Sequence, residues 1–399
     1  MEQKVVVSPL FGSALKKWRL SAGLSLRQFA AKVNYTPGHL SKVENGRKAP
    51  SRFLVVRADE LLHSGGELIA MIVSNGPEPG GGAPPPGTVV LDVLSGPLPQ
   101  LDEPGSLEPW WRLLVSTRAV GQACPPLPLV ATASHQARVL GGIAAQSSQR
   151  HAREAYIVGA RFFEYAGWMA QEAGDSAAAL AMTAQATEWA HQAGDSAYVA
   201  YALVRQAVIA LYGRDYPTTT HLAQRAQSMT SDARVCGLAA LQEAFGHAAM
   251  GRVNECMSAL ARGADLLSRG ESGDRAPGSA HVVDQVGMAE AWCQSELGRY
   301  ERAAHLLQAG IAQTSSSALR ASARYEARYA LVLERLGDLE GSCSAASTAM
   351  GKVTVVESET VRSDLRTLRR RYAYYSSKRG HDAVRTILPD LTSACRQPR

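Results

Sequence analysis

The chain has 399 residues, and its 42 Lys and Arg against 36 Asp and Glu leave a formal charge of +6. That length exceeds one ordinary core and points to two domains, one of them an extended array. Apolar runs break well short of the ~18 residues that a membrane span requires, and "MEQKVVVSPLF" lacks the marks of a secretory leader. A cytoplasmic protein with no membrane partner is expected.

Charge is concentrated at one end. Residues 1–75 hold 11 Lys and Arg against 5 Asp and Glu, which leaves 31 of each in the remainder. A basic head on a neutral body suggests a polyanion partner for the head alone. The six cysteines, Cys124, Cys236, Cys256, Cys293, Cys343 and Cys395, never form a C-x-x-C pair. They are expected to be small buried residues in a reducing cell rather than metal ligands or a disulfide framework.

In chain order, helix one is expected over Phe11–Ala22, stopped by Gly23. Ser25 caps helix two, Leu26–Val33, whose Leu26, Phe29, Ala30 and Val33 share an apolar face. In "YTPGHLSKVENG", Thr36 caps helix three and Pro37 takes its first position, where the missing N–H costs nothing. Leu40 and Val43 face inward, which leaves Pro37, Gly38, Ser41, Lys42 and Asn45 outward. Gly38 weakens this first turn by about 1 kcal/mol relative to Ala, a cost that makes sense where the backbone must approach another surface. Helices four and five are expected over Ser51–Leu62 and Gly66–Ile72.

The head thus spans 1–74. Residues 75–99, "NGPEPGGGAPPPGTVVLDVLSGPLP", have little to bury and read as a Gly/Pro-rich linker. Residues 100–399 form a helical body, beginning with "EPWWRLLVSTRAVGQ", whose Trp110 and Trp111 seat it, and a helix over Val130–Arg150 beyond "CPPLP".

From Arg153 to Ala383 the body repeats. Each unit is a helix that ends near a glycine, a short polar turn, and a second helix that opens with small residues. The marker glycines are Gly174, Gly213, Gly251, Gly298 and Gly337. Small residues keep register with them, as in Gly167, Ala179 and Ala186 or Ala330, Ser342 and Ala349. Only Gln206 and Arg225, around Gly213, break the pattern, and the extra residue in "GRDY" against "GRY" suggests a local slip. Small residues at fixed offsets let helix pairs stack closely around one continuous core.

Two resemblances follow. The body resembles tetratricopeptide repeats, "GRYERAAHLL" most closely, and a generic alanine-rich bundle is the alternative. "GSALKKWRLSAGLSLRQFAAKVNYTPGHLSKVENGRKAPS" resembles a Cro/C1-type (XRE-family) helix-turn-helix domain over residues 11–72. Together they imply an all-α protein in which a lambda-repressor-like five-helix DNA-binding domain is linked to a tetratricopeptide-like α-solenoid. Head and body resemble a group of one-component bacterial transcriptional regulators whose ligands vary.

The resemblance implies that helix three enters the major groove. Its base-reading positions fall on Thr36, Pro37, Gly38 and Lys42, with Ser41 nearby, and its phosphate contacts on Asn45, Arg47, Lys48 and Arg52. Lys42 could donate to guanine O6 and N7. Arg19 matches the residue that pairs with Glu44. Where the family often opens helix two with a phosphate-binding Gln, Leu26 stands here, so Arg27 or Gln28 takes that role. His39 reaches a phosphate or packs.

In the body, the repeat register puts Arg161, Glu164, Trp168, Gln171, Gln285, Met288, Trp292 and Arg324 on the concave face, either as a groove for a peptide, metabolite or protein or as core packing. The leading function is a DNA-binding transcriptional regulator, a homodimer on a pseudo-palindromic operator, whose body senses a ligand or partner. The alternative is an interaction scaffold with a docking head. No Walker loop, H-E-x-x-H or G-x-S-x-G occurs, so neither an enzyme nor a cofactor is expected.

Overall fold

The computed structural model describes residues 11–33, 35–62, 64, 68, 71, 107–270, 273, 275–278, 284–378 and 381–396. The chain divides into two units, Met1–Asp92 and Val93–Arg399. Described residues form helices and no strand. The linker expected at 75–99 lies outside them, as does the helix expected at 66–72 apart from Leu68 and Met71.

The first unit contains α1 (Phe11–Ser21), α2 (Leu26–Val33), α3 (Pro37–Glu44) and α4 (Arg52–Leu62). Their boundaries follow from local chemistry. Gly23, at φ +68°, ends α1 in the left-handed region that other residues avoid. Ser25 Oγ accepts the Gln28 N–H at 3.2 Å while Gln28 Oε1 accepts the Ser25 N–H at 2.8 Å, a reciprocal cap on α2. Thr36 Oγ1 accepts the His39 N–H at 3.2 Å and Pro37 opens α3. Ser51 Oγ accepts the Leu54 N–H at 3.1 Å, so Ser51 caps α4 instead of belonging to it.

Phe11, Leu15, Phe29, Leu40, Val43 and Leu54 are buried together as the core of this unit. Gly12 lets α1 and α3 touch, since a Cβ there would lie 2.6 Å from the carbonyl oxygens of Val43 and Glu44.

The second unit opens with α5 (Glu108–Val120) and α6 (Pro126–Gln146). Trp110 and Trp111 are half-buried against its core. The single helix expected over Val130–Arg150 is two: α6 starts earlier, at Pro126, and stops at Gln146, while Arg150 belongs to the next helix. Proline suits a first turn, so of "CPPLP" only Cys124 and Pro125 lie between α5 and α6, and Pro126 already opens α6.

Paired helices then stack: α7 (Gln149–Glu172) with α8 (Ser176–Ala193), α9 (Ser196–Tyr212) with α10 (Tyr216–Met229), and α11 (Ala233–Ala249) with α12 (Val253–Arg269). They are followed by α13 (Gln285–Glu296) with α14 (Tyr300–Gln313), α15 (Leu319–Leu336) with α16 (Leu339–Val356), and α17 (Glu359–Lys378) with α18 (Asp382–Ala394). This is a tetratricopeptide-like α-solenoid that runs one helix pair beyond the last marker glycine.

The turns explain the repeat. Gly174, Gly251, Gly298 and Gly337 are left-handed, but Gly213 is not: Arg214, at φ 63°, takes that position. The register therefore slips by one residue, and the slip repairs both failures, because Ala207 and Ala226 are each fully buried where Gln206 and Arg225 did not fit. Asp175, Asp195, Asp215 and Asp338 follow the left-handed residue and cap the next helix, each accepting an N–H three residues on at 2.9 to 3.1 Å. Arg252 and Arg299 occupy the same position without a side-chain cap. At Gly263 an added Cβ would lie 2.8 Å from Leu241, which shows how closely α11 and α12 approach.

Candidate nucleic-acid interface and body cavity

α3 sets the surface of the first unit. Leu40 and Val43 are buried, so the 3.6-residue period turns Thr36, Pro37, Gly38 and Lys42 outward, all exposed, with Ser41 half-buried. No atom lies within 4 Å of where a Gly38 Cβ would be, so nothing inside the chain requires glycine there. Asn45, Arg47 and Lys48 follow, also exposed, with Asn45 Nδ2 donating to the Ser41 carbonyl at 2.8 Å. Arg52 opens α4.

Arg27 is exposed on α2, whereas the Gln28 side-chain carbonyl is committed to the Ser25 cap, which favours Arg27 as the group left for an external anion. His39 packs edge-on against Tyr35 at 4.8 Å, with Nδ1 3.3 Å from Lys48 Nζ. Arg19 grips Glu44 through two bonds of 2.6 and 2.9 Å, both side chains buried. The pair locks the end of α3 to α1, and the Glu44 bond leads the causes that push the Arg19 guanidinium further up.

The body holds a cavity of about 260 Å³. The first helix of each pair builds most of it. Of the expected concave residues, Glu164, Trp168, Gln171, Gln285, Met288, Trp292 and Arg324 come together on its wall. Arg161 does not. Its guanidinium stacks 3.8 Å over the Tyr198 ring, which draws it to a separate hollow shared with Asp195, Asp232 and Arg234.

Sequence reasoning missed part of the wall. The positions filled by Gln285, Met288 and Trp292 in the fourth pair recur as Tyr201, Val204 and Val208 in the second and as Leu238, Leu241 and Phe245 in the third. The repeat register carried that signal once the slip at Arg214 is applied. No periodicity announces Arg118, Gln122 or Thr360, which reach the cavity from outside the five marked repeats.

A clasp closes one end. Glu172, fully buried, receives Arg320 Nη1 at 3.3 Å, Arg324 Nη2, and the hydroxyls of Ser358 and Thr360. Arg320 also donates to the carbonyls of Gly121 at 2.8 Å and Cys124 at 2.7 Å. Burial alone pushes the Glu172 carboxyl up, but Arg324 and Arg320 with the two hydroxyls outweigh it and hold the group below its usual range.

A second ionic group lies nearby: Glu164 sits 3.4 Å from Arg205 Nε and 3.6 Å from Arg118 Nη2, and it accepts the Tyr201 hydroxyl at 3.3 Å. Among the described residues no cluster of His, Cys, Asp and Glu could hold a metal, and no helix is long and apolar enough to cross a membrane.

The fold and these surfaces define a helix-turn-helix protein with a tetratricopeptide-like body. Residues 10–71 match the family described as a helix-turn-helix domain. No curated protein matches the sequence. Among solved structures, the chain is similar to a Rap protein complexed with competence and sporulation factor, at 13% identity and a TM-score of 0.43, over 65% of this chain and 68% of that one. It is also similar to Bacillus thuringiensis PlcR in complex with the peptide PapR7 and DNA, at 12% identity and a TM-score of 0.30, over 88% of this chain and 96% of that one.

Proposed function

We propose that the protein is a sequence-specific DNA-binding transcriptional regulator whose helical body carries a ligand site. The observation that supports it most is the exposed start of α3. Thr36, Pro37, Gly38 and Lys42 stand clear of their own core on a helix anchored by the buried Arg19–Glu44 pair. A glycine with open space around it and a lysine one turn on suit close approach to a base-pair edge. The basic balance of residues 1–75 supplies attraction to phosphate.

One such head reads few base pairs, so the reading includes a homodimer on half-sites about 34–36 Å apart or a multiple of that. Ligand in the body then alters DNA affinity, with a coupling of about 1–3 kcal/mol that must be reciprocal. The test is genome-wide mapping of bound DNA, followed by titration of the recovered duplex across a salt series. A steep fall of affinity with salt and preference over scrambled duplex are expected. Binding that ignores both salt and sequence refutes the reading and leaves the head a docking module.

A further inference from the structure

The geometry points to a compact aromatic carboxylate as the ligand of the body cavity, its carboxylate received by Gln171, Arg205 and Arg324 and its ring by the surrounding aromatic side chains. The inference rests on reading the body as the ligand-binding half of the protein.

Charge comes first. The guanidinium groups of Arg118, Arg205, Arg320, Arg324 and Arg328 line the cavity against only two carboxylates, Glu164 and Glu172. Each carboxylate already serves two arginines. Arg328 faces a third carboxylate, Asp364, at 3.4 Å, which still leaves five guanidinium groups against three carboxylates. Buried cations in excess of anions are costly until an anion joins them.

Unpartnered donors give the second, independent observation. Gln171 is 6% exposed, and its Oε1 accepts Arg205 Nη2 at 3.1 Å, which leaves its Nε2 without an acceptor. Arg205, 8% exposed, leaves Nε without a hydrogen bond, as Glu164 at 3.4 Å is poorly aligned, and Arg324 Nε also has no partner. All three side chains line the cavity, each with a buried donor that no acceptor satisfies, and a carboxylate meets guanidinium and amide N–H groups in a plane.

The remaining wall selects the body of that anion. Tyr165, Trp168, Tyr212, Phe245, Trp292 and Tyr325 surround the space. Trp168 packs edge-on against Tyr165 at 5.8 Å and Phe245 against Trp292 at 4.9 Å, so these rings form fixed walls suited to a flat partner. The amide oxygens of Gln122 and Gln242 on the same wall lack donors and suit a hydroxyl on the ring. A volume of about 260 Å³ limits the ligand to a small molecule.

The experiment is calorimetric titration of the full-length protein, without DNA, with phenylacetate, hydroxyphenylacetate and naphthylacetate, each against its primary amide, and with acetate. At least one aryl acid should bind with a Kd on the order of 1 mM or tighter, its amide about tenfold more weakly, and acetate not measurably. Arg205→Gln should remove the preference for acid over amide. Gln171→Met, which keeps shape and leaves every ion pair in place, should weaken the acid severalfold, so the test survives if Arg205→Gln does not fold. The proposal is overturned if no aryl acid binds, if the amides bind as tightly, or if Gln171→Met leaves acid affinity unchanged. Because DNA plays no part, failure here is separate from failure of the salt and sequence tests on the head.

Discussion

Arg320 and Glu172, 148 residues apart in sequence, form an ion pair of 3.3 Å with side chains 1% and 0% exposed. The pair ties the fifth helix pair of the body to the end of α7, the first helix of the first pair. Its pH behaviour follows from the depressed Glu172 carboxyl, whose ordinary value is 4.5. The stabilisation is complete above that ordinary value and is lost as pH falls through the lower folded-state value. Glu172→Gln should destabilise the body by roughly 3–5 kcal/mol at neutral pH, because the arginines lose a buried counter-charge. It should also flatten the acid limb of the stability curve. Asp364 and Glu296, whose carboxyls are pushed up by burial, run the other way, and because the Glu172 charge also helps to raise Asp364, the difference between the two denaturation curves reports Glu172 together with that coupled change. Parallel curves from neutral pH into acid would contradict the assignment.

The turn positions make a prediction in which sign matters. Arg252 adopts φ −86° and ψ 84°, close to Asp175 at φ −97° and ψ 85°, yet lacks the cap that Asp175 supplies. Arg252→Asp should therefore stabilise the body by about 1 kcal/mol, and Asp195→Ala should destabilise it by about as much. Chemical denaturation of both variants checks this, and it requires shifts in opposite directions.

Left-handed positions offer a matching pair. Gly337 sits at φ +83° and Arg214 at φ 63°. Gly337→Ala should cost about 1 kcal/mol and Arg214→Gly should recover up to about 1 kcal/mol, since only glycine enters this region freely. Thermal unfolding of the two variants beside the parent protein would expose an error if Arg214→Gly lowered Tm.

On DNA, Lys42→Ala should cost about 1–3 kcal/mol and relax preference at one base pair. Arg47→Ala should weaken binding by similar factors on every sequence and lower the salt slope by about 1. Competition assays on operator and scrambled duplexes distinguish them. Equal losses on both duplexes for Lys42→Ala would remove it from base reading.

Local chemistry accounts for what the sequence determined by itself. Caps, proline at a first turn, left-handed glycines and apolar period act within a few residues, so Thr36–Pro37, Gly23 and the glycine-marked turns were legible without coordinates. The Arg19–Glu44 pair was legible through resemblance, and the concave face through the repeat register. Tertiary structure alone decided the rest. Whether Gly213 or Arg214 turned left-handed depended on which choice buried Ala207 and Ala226 against neighbouring helices. Arg161 left the cavity because the Tyr198 ring, on another helix, offered its guanidinium a face 3.8 Å away. Glu172 and Arg320 meet only when the stacked pairs bring distant turns together. Repeat periodicity encodes how each pair packs on the next, while the small rotation between pairs accumulates over the whole array and determines which distant side chains share a wall.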